Sequence, residues 1–389
     1  MKRIFMDHAS TTKVDDAVVT AMLPYFTKYY GNPSSIHVFG REAREAVDNA
    51  RTHVGELLGA RDDEVIFTAG GTESDNLAIK GLAYLNKDKR TTKGPHIITS
   101  TIEHPGVLEV CRHLETQGYN VKYLPVDHDG LINLEDLQNA ISKNTFLISI
   151  MFANNEIGTI EPIEEIGKIA HEHDILFHTD AVQAVGKIPI AVKNQHIDLL
   201  ALSSHKIYGP KGVGALYIRN GVKLQPIIHG GGHEKGLRSS TYNVPGIVGL
   251  GKATELAKQR MTKDTAHMKI LRDLLIKNLL TIEESYLNGH PEKRLVNNAH
   301  FRFTGIEGES LLLGLDEQGI ASSTGSACSS QKLQASHVLL AIGLDPVQAH
   351  GSIRLTVGRE NTKEEIALVS QAAPEVVGKL RLMSPLWNR

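Results

Sequence analysis

The 389-residue chain is poor in cysteine, with only Cys111 and Cys328. Two thiols cannot build an all-thiolate zinc site or hold an iron–sulfur cluster by thiolates alone within one chain. A reducing compartment also argues against a disulfide between them. Neither charge sign is in excess: 42 basic and 44 acidic side chains leave a formal net charge of −2. No electrostatic footprint for nucleic acid or membrane binding is therefore expected. No stretch approaches the roughly 18 uninterrupted apolar residues of a transmembrane helix, and the apolar part of Met1–His8 is too short for a signal peptide. These absences predict a cytoplasmic protein. His171 and His173 read as solvated helix residues, and no metal site is expected. The run His229-Gly230-Gly231-Gly232-His233 is like part of the oxyanion hole in some esterases, but no Gly-x-Ser-x-Gly nucleophile elbow accompanies it. No repeat or low-complexity tract is evident.

What is there is an alternation. From about residue 64 to 220, short apolar runs alternate with helical spacing, which predicts an α/β fold on a mostly parallel sheet. Strands are expected at Val65–Phe67, Pro95–Ser100, Phe146–Phe152, Ile175–Thr179 and Ile197–Leu202. Helices are expected at Arg41–Leu58 and Ile163–Glu172, and Ala215–Ile218 reads as a returning edge strand. Pro245–Leu280 has the periodicity of one long helix bridging two lobes. A second α/β unit follows, with strands at Ala299–Phe303 and around Arg354 and a helix at Gly308–Leu315. The length is ample for two lobes.

Polar residues cluster where these strands end. Lys206 follows the run Ile197–Leu202 and precedes a Gly209-Pro210 turn. It is either a solvated strand-end charge or a desolvated amine able to condense with a carbonyl. Asp180 closes the preceding strand, as a helix N-cap or as an acid facing a ligand at the sheet rim. Gly71-Thr72 follows a strand and opens a helix, an arrangement that suits an ordinary connection or a bound phosphate. His104 and Asn155 occupy comparable turns after their strands. Cys111 falls inside a helix and is expected to be buried and inert. Cys328 lies in the small-residue loop Ile320–Ser330, where a plain connector and a reactive thiol are both admissible. Arg354 sits on a strand as a structural ion pair or a carboxylate clamp.

The segments His178–Gln183 and Ser203–Gly212 together resemble the core of the pyridoxal-phosphate (PLP)-dependent cysteine desulfurases, the family of the NifS and IscS proteins. The likeness extends from Met6–Thr12 to Arg354. It implies fold type I of the PLP-dependent transferases, with an N-terminal segment (1–15) near the active site and a large PLP-binding domain (16–260). A smaller α/β domain (261–389) would carry a mobile cysteine loop at about 321–332. By the same resemblance Lys206 holds PLP covalently, Asp180 faces the ring nitrogen, and His104 stacks on the ring and exchanges protons with substrate. Gln183 and Asn155 lie at O3′, and Gly71, Thr72, Ser203 and His205 hold the phosphate. Thr241 joins the phosphate group from the other subunit of a homodimer. Arg354 and Asn155 bind the carboxylate of L-cysteine, and Cys328 receives its sulfur as a persulfide. An iron–sulfur scaffold protein or another persulfide acceptor would take it onward. Ser240 departs from the glycine common in the family. A selenocysteine lyase, a PLP aminotransferase and a non-catalytic scaffold on the same fold remain the rival readings.

Overall fold

The computed structural model describes residues 3–87, 94–325 and 335–387. Its strands are, in chain order, β1 (Ile4–Phe5), β2 (Val65–Thr68), β3 (His96–Ser100), β4 (Asn120–Leu124), β5 (Thr145–Ser149), β6 (Leu176–Asp180), β7 (Leu199–Ser203), β8 (Gly214–Ile218), β9 (Ser285–Asn288), β10 (Asn298–Phe303), β11 (Ile320–Ala321) and β12 (Ser352–Thr356). Seven form the main sheet, in the order β2-β8-β7-β6-β5-β3-β4. The run from β7 to β4 is parallel throughout, as the alternation predicts. One expectation fails: Ala215–Ile218 is not at an edge. β8 pairs antiparallel with β7 on one side and with β2 on the other, so β2 and β4 are the outer strands.

Consecutive residues of these strands serve opposite faces of the sheet. Ile98, Ile148, Phe177 and Leu200 join one apolar cluster, which also includes Val47 and Val54 of the helix Val38–Leu58. Ile97, Leu147, Leu199 and Leu216 join another, against Leu77 and Leu82 of the helix Gly71–Asn86 and Val107 and Leu114 of Pro105–Glu115. Period-two side-chain alternation with both faces covered explains why β7 is buried along its whole length.

The helix Val244–Leu279 begins in the first cluster, through Ile247, Leu250 and Leu256. It ends in a separate one, where Met268, Leu271 and Leu275 pack with Phe301, Leu355 and Val369. At 36 residues it spans about 54 Å, long enough to serve both cores. The N-terminal segment follows a similar course in extended form. β1 pairs parallel with β11, the Thr356 amide donates to the Met6 carbonyl at 2.7 Å, and the Thr12 amide donates to the His205 carbonyl at 2.9 Å. That path lays Ala9 and Ser10 against the carboxyl ends of the central strands.

Candidate active site

A cleft of about 320 Å³ opens at those carboxyl ends, the usual ligand position in parallel α/β sheets. Gly71, Thr72, His104, Asn155, Asp180, Gln183, Ser203, His205, Lys206 and Arg354 all line it. Thr241 is exposed and does not, while Cys328 lies outside the described residues. Ala321–Gly325 is the described part of the expected cysteine loop.

β6 and β7 are adjacent and parallel, with Asp180 in register with Ala201. One strand therefore delivers Asp180 to the rim, and the short turn Ser204–Lys206 after the other delivers Lys206. Asp180 Oδ1 accepts the Val182 amide at 2.9 Å. Burial raises its carboxyl above the ordinary range, with His104, the Val182 amide and Lys206 pulling it back down. Lys206 Nζ donates to the carbonyls of Ala9 and, at 2.8 Å, Ser10. His104 caps the helix Pro105–Glu115, its Nδ1 accepting the Gly106 amide at 3.0 Å. Nδ1 is thus an acceptor, and burial, against the pull of Asp180, lowers the ring's pKa, which favours the neutral imidazole with its proton on Nε2.

Gly71 and Thr72 open the helix Gly71–Asn86, whose first turn has no side-chain cap. A Cβ on Gly71 would stand 2.7 Å from Val182 Cγ2, so only glycine lets the backbone pass there. Ser203 lies beside Gly70 and Gly71, and His205 also lines the cleft, its Nδ1 3.2 Å from Thr11 Oγ1. Burial, then Lys206, Lys211 and Lys187, push His205 down to about 4. Arg354, also in the cleft wall, is 3% exposed. Its Nη1 donates to the Asn155 carbonyl at 2.8 Å, and its Nη2 to Asp7 Oδ1 at 2.9 Å and Ser10 Oγ at 2.8 Å. Its Nε is buried with no hydrogen-bond partner among the described residues.

Several participants were not foreseen from the sequence. Asp75 lines the cleft, its Oδ1 3.5 Å from His178 Nε2. It falls three residues after Thr72, so helical spacing from a suspected phosphate contact is the signal that would have found it. Lys187 is buried, with Nζ 3.1 Å from the Gln183 carbonyl and 3.3 Å from that of Lys206. Burial and the neighbouring Lys206 push it down to about 7. Its burial has no local signature, because a lysine after a glycine reads as surface. Gln183 Nε2 donates to the Ala9 carbonyl at 2.9 Å. Cys111 is buried as expected, and burial pushes its thiol up to about 12, leaving negligible thiolate at neutral pH.

These groups fit PLP. A carboxylate suits a ring nitrogen, an amine suits an aldehyde, and a flat imidazole suits an aromatic face. An uncapped helix start that only glycine can form, with nearby hydroxyls, suits a phosphate. The Nε of Arg354, orphaned among the described residues, leaves a donor for a small anion in the same cleft.

Comparison with known proteins agrees with that chemistry. The model of the aminotransferase class-V family matches residues 4–369. Cysteine desulfurase IscS from Methanosarcina thermophila is 56% identical over 385 residues, covering 99% of this chain and 94% of that protein. A solved NifS-like protein superposes with a TM-score of 0.91 at 39% identity, covering 97% of this chain and all of that one. The structure of SspA in complex with cysteine gives 0.81 at 38% identity, over 93% of this chain and all of that one. With the family model spanning most of its length and full-length relatives this similar, the chain belongs to the aminotransferase class-V family, in its cysteine desulfurase branch.

Proposed function

We propose that this protein is a PLP-dependent cysteine desulfurase in which L-cysteine and the Cys328 thiol become L-alanine and a Cys328 persulfide. The observation that carries the reading is the convergence of Lys206, Asp180 and Arg354 on one cleft. Bound PLP supplies an electrophilic carbon for the substrate amine and a protonated ring that draws electrons from the substrate Cα.

The chain's own residues do the rest. Lys206 joins the cofactor, and Asp180, as carboxylate, keeps the ring nitrogen protonated. Gly71, Thr72, Ser203 and His205 hold the phosphate, and Gln183 and Asn155 serve O3′. Arg354 and Asn155 take the substrate carboxylate, which fixes the Cα–H bond relative to Lys206 Nζ, the base that removes that proton. His104, its Nδ1 taken by the Gly106 amide, would pack on the cofactor and use Nε2 to exchange protons with the substrate. The Cβ–S bond of cysteine breaks while a bond forms from that sulfur to Cys328 Sγ. The electron pair stays with the three-carbon product, which takes up protons to become alanine.

Thr241, exposed here, would serve the phosphate of a second subunit's site. A homodimer would also cover the apolar side chains of Leu23, Phe26, Tyr30 and Ile36, which are 59%, 60%, 66% and 91% exposed. The persulfide would pass to an iron–sulfur scaffold protein in the cytoplasm. Incubation with L-cysteine and a reductant, with sulfide and alanine assayed together, tests the reaction: equal amounts of both are expected. Alanine without sulfide, or neither product, would reject it.

A further inference from the structure

We propose that Glu156 is a positioning residue that holds both ends of the segment carrying Cys328 against the substrate-binding arginine. The inference rests on the reading of Cys328 as the sulfur acceptor.

On the upstream side, residues 323–325 run along β12. The Ser323 amide donates to the Arg354 carbonyl at 3.2 Å, the Arg354 amide donates back at 2.6 Å, and the Gly325 amide donates to Ser323 Oγ at 3.1 Å. Gly325 has φ +93°, and a Cβ built on it would lie 3.2 Å from Glu156 Oε2 and 3.2 Å from His300 Nε2. Glycine thus brings the backbone directly against the Glu156 carboxyl. On the downstream side, Ser336 Oγ donates to that same Oε2 at 2.5 Å. Ser336 also caps the helix His337–Ala341, accepting the Val338 and Leu339 amides. The Glu156 carboxyl therefore hydrogen-bonds the downstream root at Ser336 and lies beside the upstream root at Gly325.

Glu156 itself is held on every side. Its amide donates to Asn154 Oδ1 at 2.9 Å, and its carbonyl accepts from Asn298 Nδ2 at 3.0 Å. The preceding carbonyl, of Asn155, is the one Arg354 Nη1 grips at 2.8 Å. The Asn155-Glu156 pair thus faces the substrate site with one residue and the loop roots with the next. A loop whose ends are fixed reaches a given point far more often than one with a free end, by the same reasoning that gives linked sites an effective concentration. Glu156 supplies that fixed origin for the Cys328 thiol relative to the carboxylate bound at Arg354.

The test uses the PLP-loaded protein and L-[35S]cysteine in single-turnover mixing. Two quantities are read: the cysteine concentration giving half of the visible absorbance change, and the rate of label transfer to protein. In Ser336→Ala and Glu156→Gln the first should stay within twofold of wild type, while label transfer slows by about tenfold. Ser336→Thr, which keeps the hydroxyl, should restore it. Wild-type transfer rates in both variants, with Cys328→Ser unlabelled, would overturn the anchoring role alone. Equal losses of substrate response and transfer that Ser336→Thr does not rescue would overturn it too, as the mark of a merely structural cap. Undiminished labelling of Cys328→Ser would overturn it by removing the Cys328 reading itself.

Discussion

Asp7 Oδ1 lies 2.9 Å from Arg354 Nη2, joining side chains 347 positions apart in the chain. Arg354 is buried and Asp7 is its one carboxylate partner among the described residues. The pair aims the guanidinium into the cleft. Removing one member of a buried pair leaves the other uncompensated, so Asp7→Asn should raise KM for L-cysteine by roughly tenfold, about 1.4 kcal/mol. Arg354→Lys loses planar, two-point recognition of a carboxylate and should cost more, roughly 100-fold in kcat/KM. Steady-state kinetics check both; an unchanged KM in both variants would rule out Arg354 as the carboxylate site.

Lys206 donates to two carbonyls of the N-terminal segment, so its amine is already oriented at the rim. Lys206→Ala would remove both roles proposed for this amine, the tether to PLP and the base at Cα. The yellow absorbance of the purified protein should vanish or shift, and turnover should fall by at least about 100-fold. An unaltered spectrum would assign the tether to another amine, and the buried Lys187, its Nζ 3.3 Å from the Lys206 carbonyl, is one candidate.

Glu103 gives a pH signature with a definite sign. Its Oε1 accepts from Ser100 Oγ at 2.7 Å and the Met151 amide at 2.9 Å, and its Oε2 is buried without a partner among the described residues. Burial pushes the carboxyl from 4.5 up to about 8. Between those values the folded protein binds the proton and the unfolded chain does not, so folding stability falls as pH rises, by up to about 1.4 kcal/mol per unit. Below that window the contribution is fully present. Glu103→Gln is neutral at every pH and keeps the accepting oxygen. Urea unfolding from about pH 5 to about pH 8 should therefore show a shallower decline for the variant than for wild type. Parallel declines would mean that Glu103 is ionised in the fold.

What the sequence made legible is what local pattern determines. Asp180 and Lys206 each close an apolar run, and adjacent parallel strands then bring them together. Gly71-Thr72 is legible because a glycine pair between a strand and a helix has few uses. β8 misled because adjacency in sequence reveals only its hairpin with β7, while its other partner, β2, lies far upstream. Asp7, Ser10 and Glu156 act through contacts with Arg354 and Ser336 that no periodicity encodes. Lys187 escaped notice for a different reason: burial of a lysine depends on the packing around it, and sequence alone reads it as a solvated charge.

Ser240 carries a prediction about stability rather than chemistry. Its φ is +118°, a region open to glycine and strained for residues with a Cβ. Such a residue costs about 1–3 kcal/mol, against which glycine's extra freedom in the unfolded chain returns roughly 0.5–1 kcal/mol. Ser240 is exposed, its side chain takes part in no described hydrogen bond, and Thr241 follows directly. Ser240→Gly should thus stabilise the protein by about 1 kcal/mol in urea unfolding at a fixed protein concentration, whereas Ser240→Ala, which keeps the Cβ, should give no gain. Equal stability of the glycine and alanine variants would show that the backbone relaxes out of this conformation in solution. In that case the path of the chain into Thr241, and with it the reach of that hydroxyl toward a second subunit, would have to be redrawn.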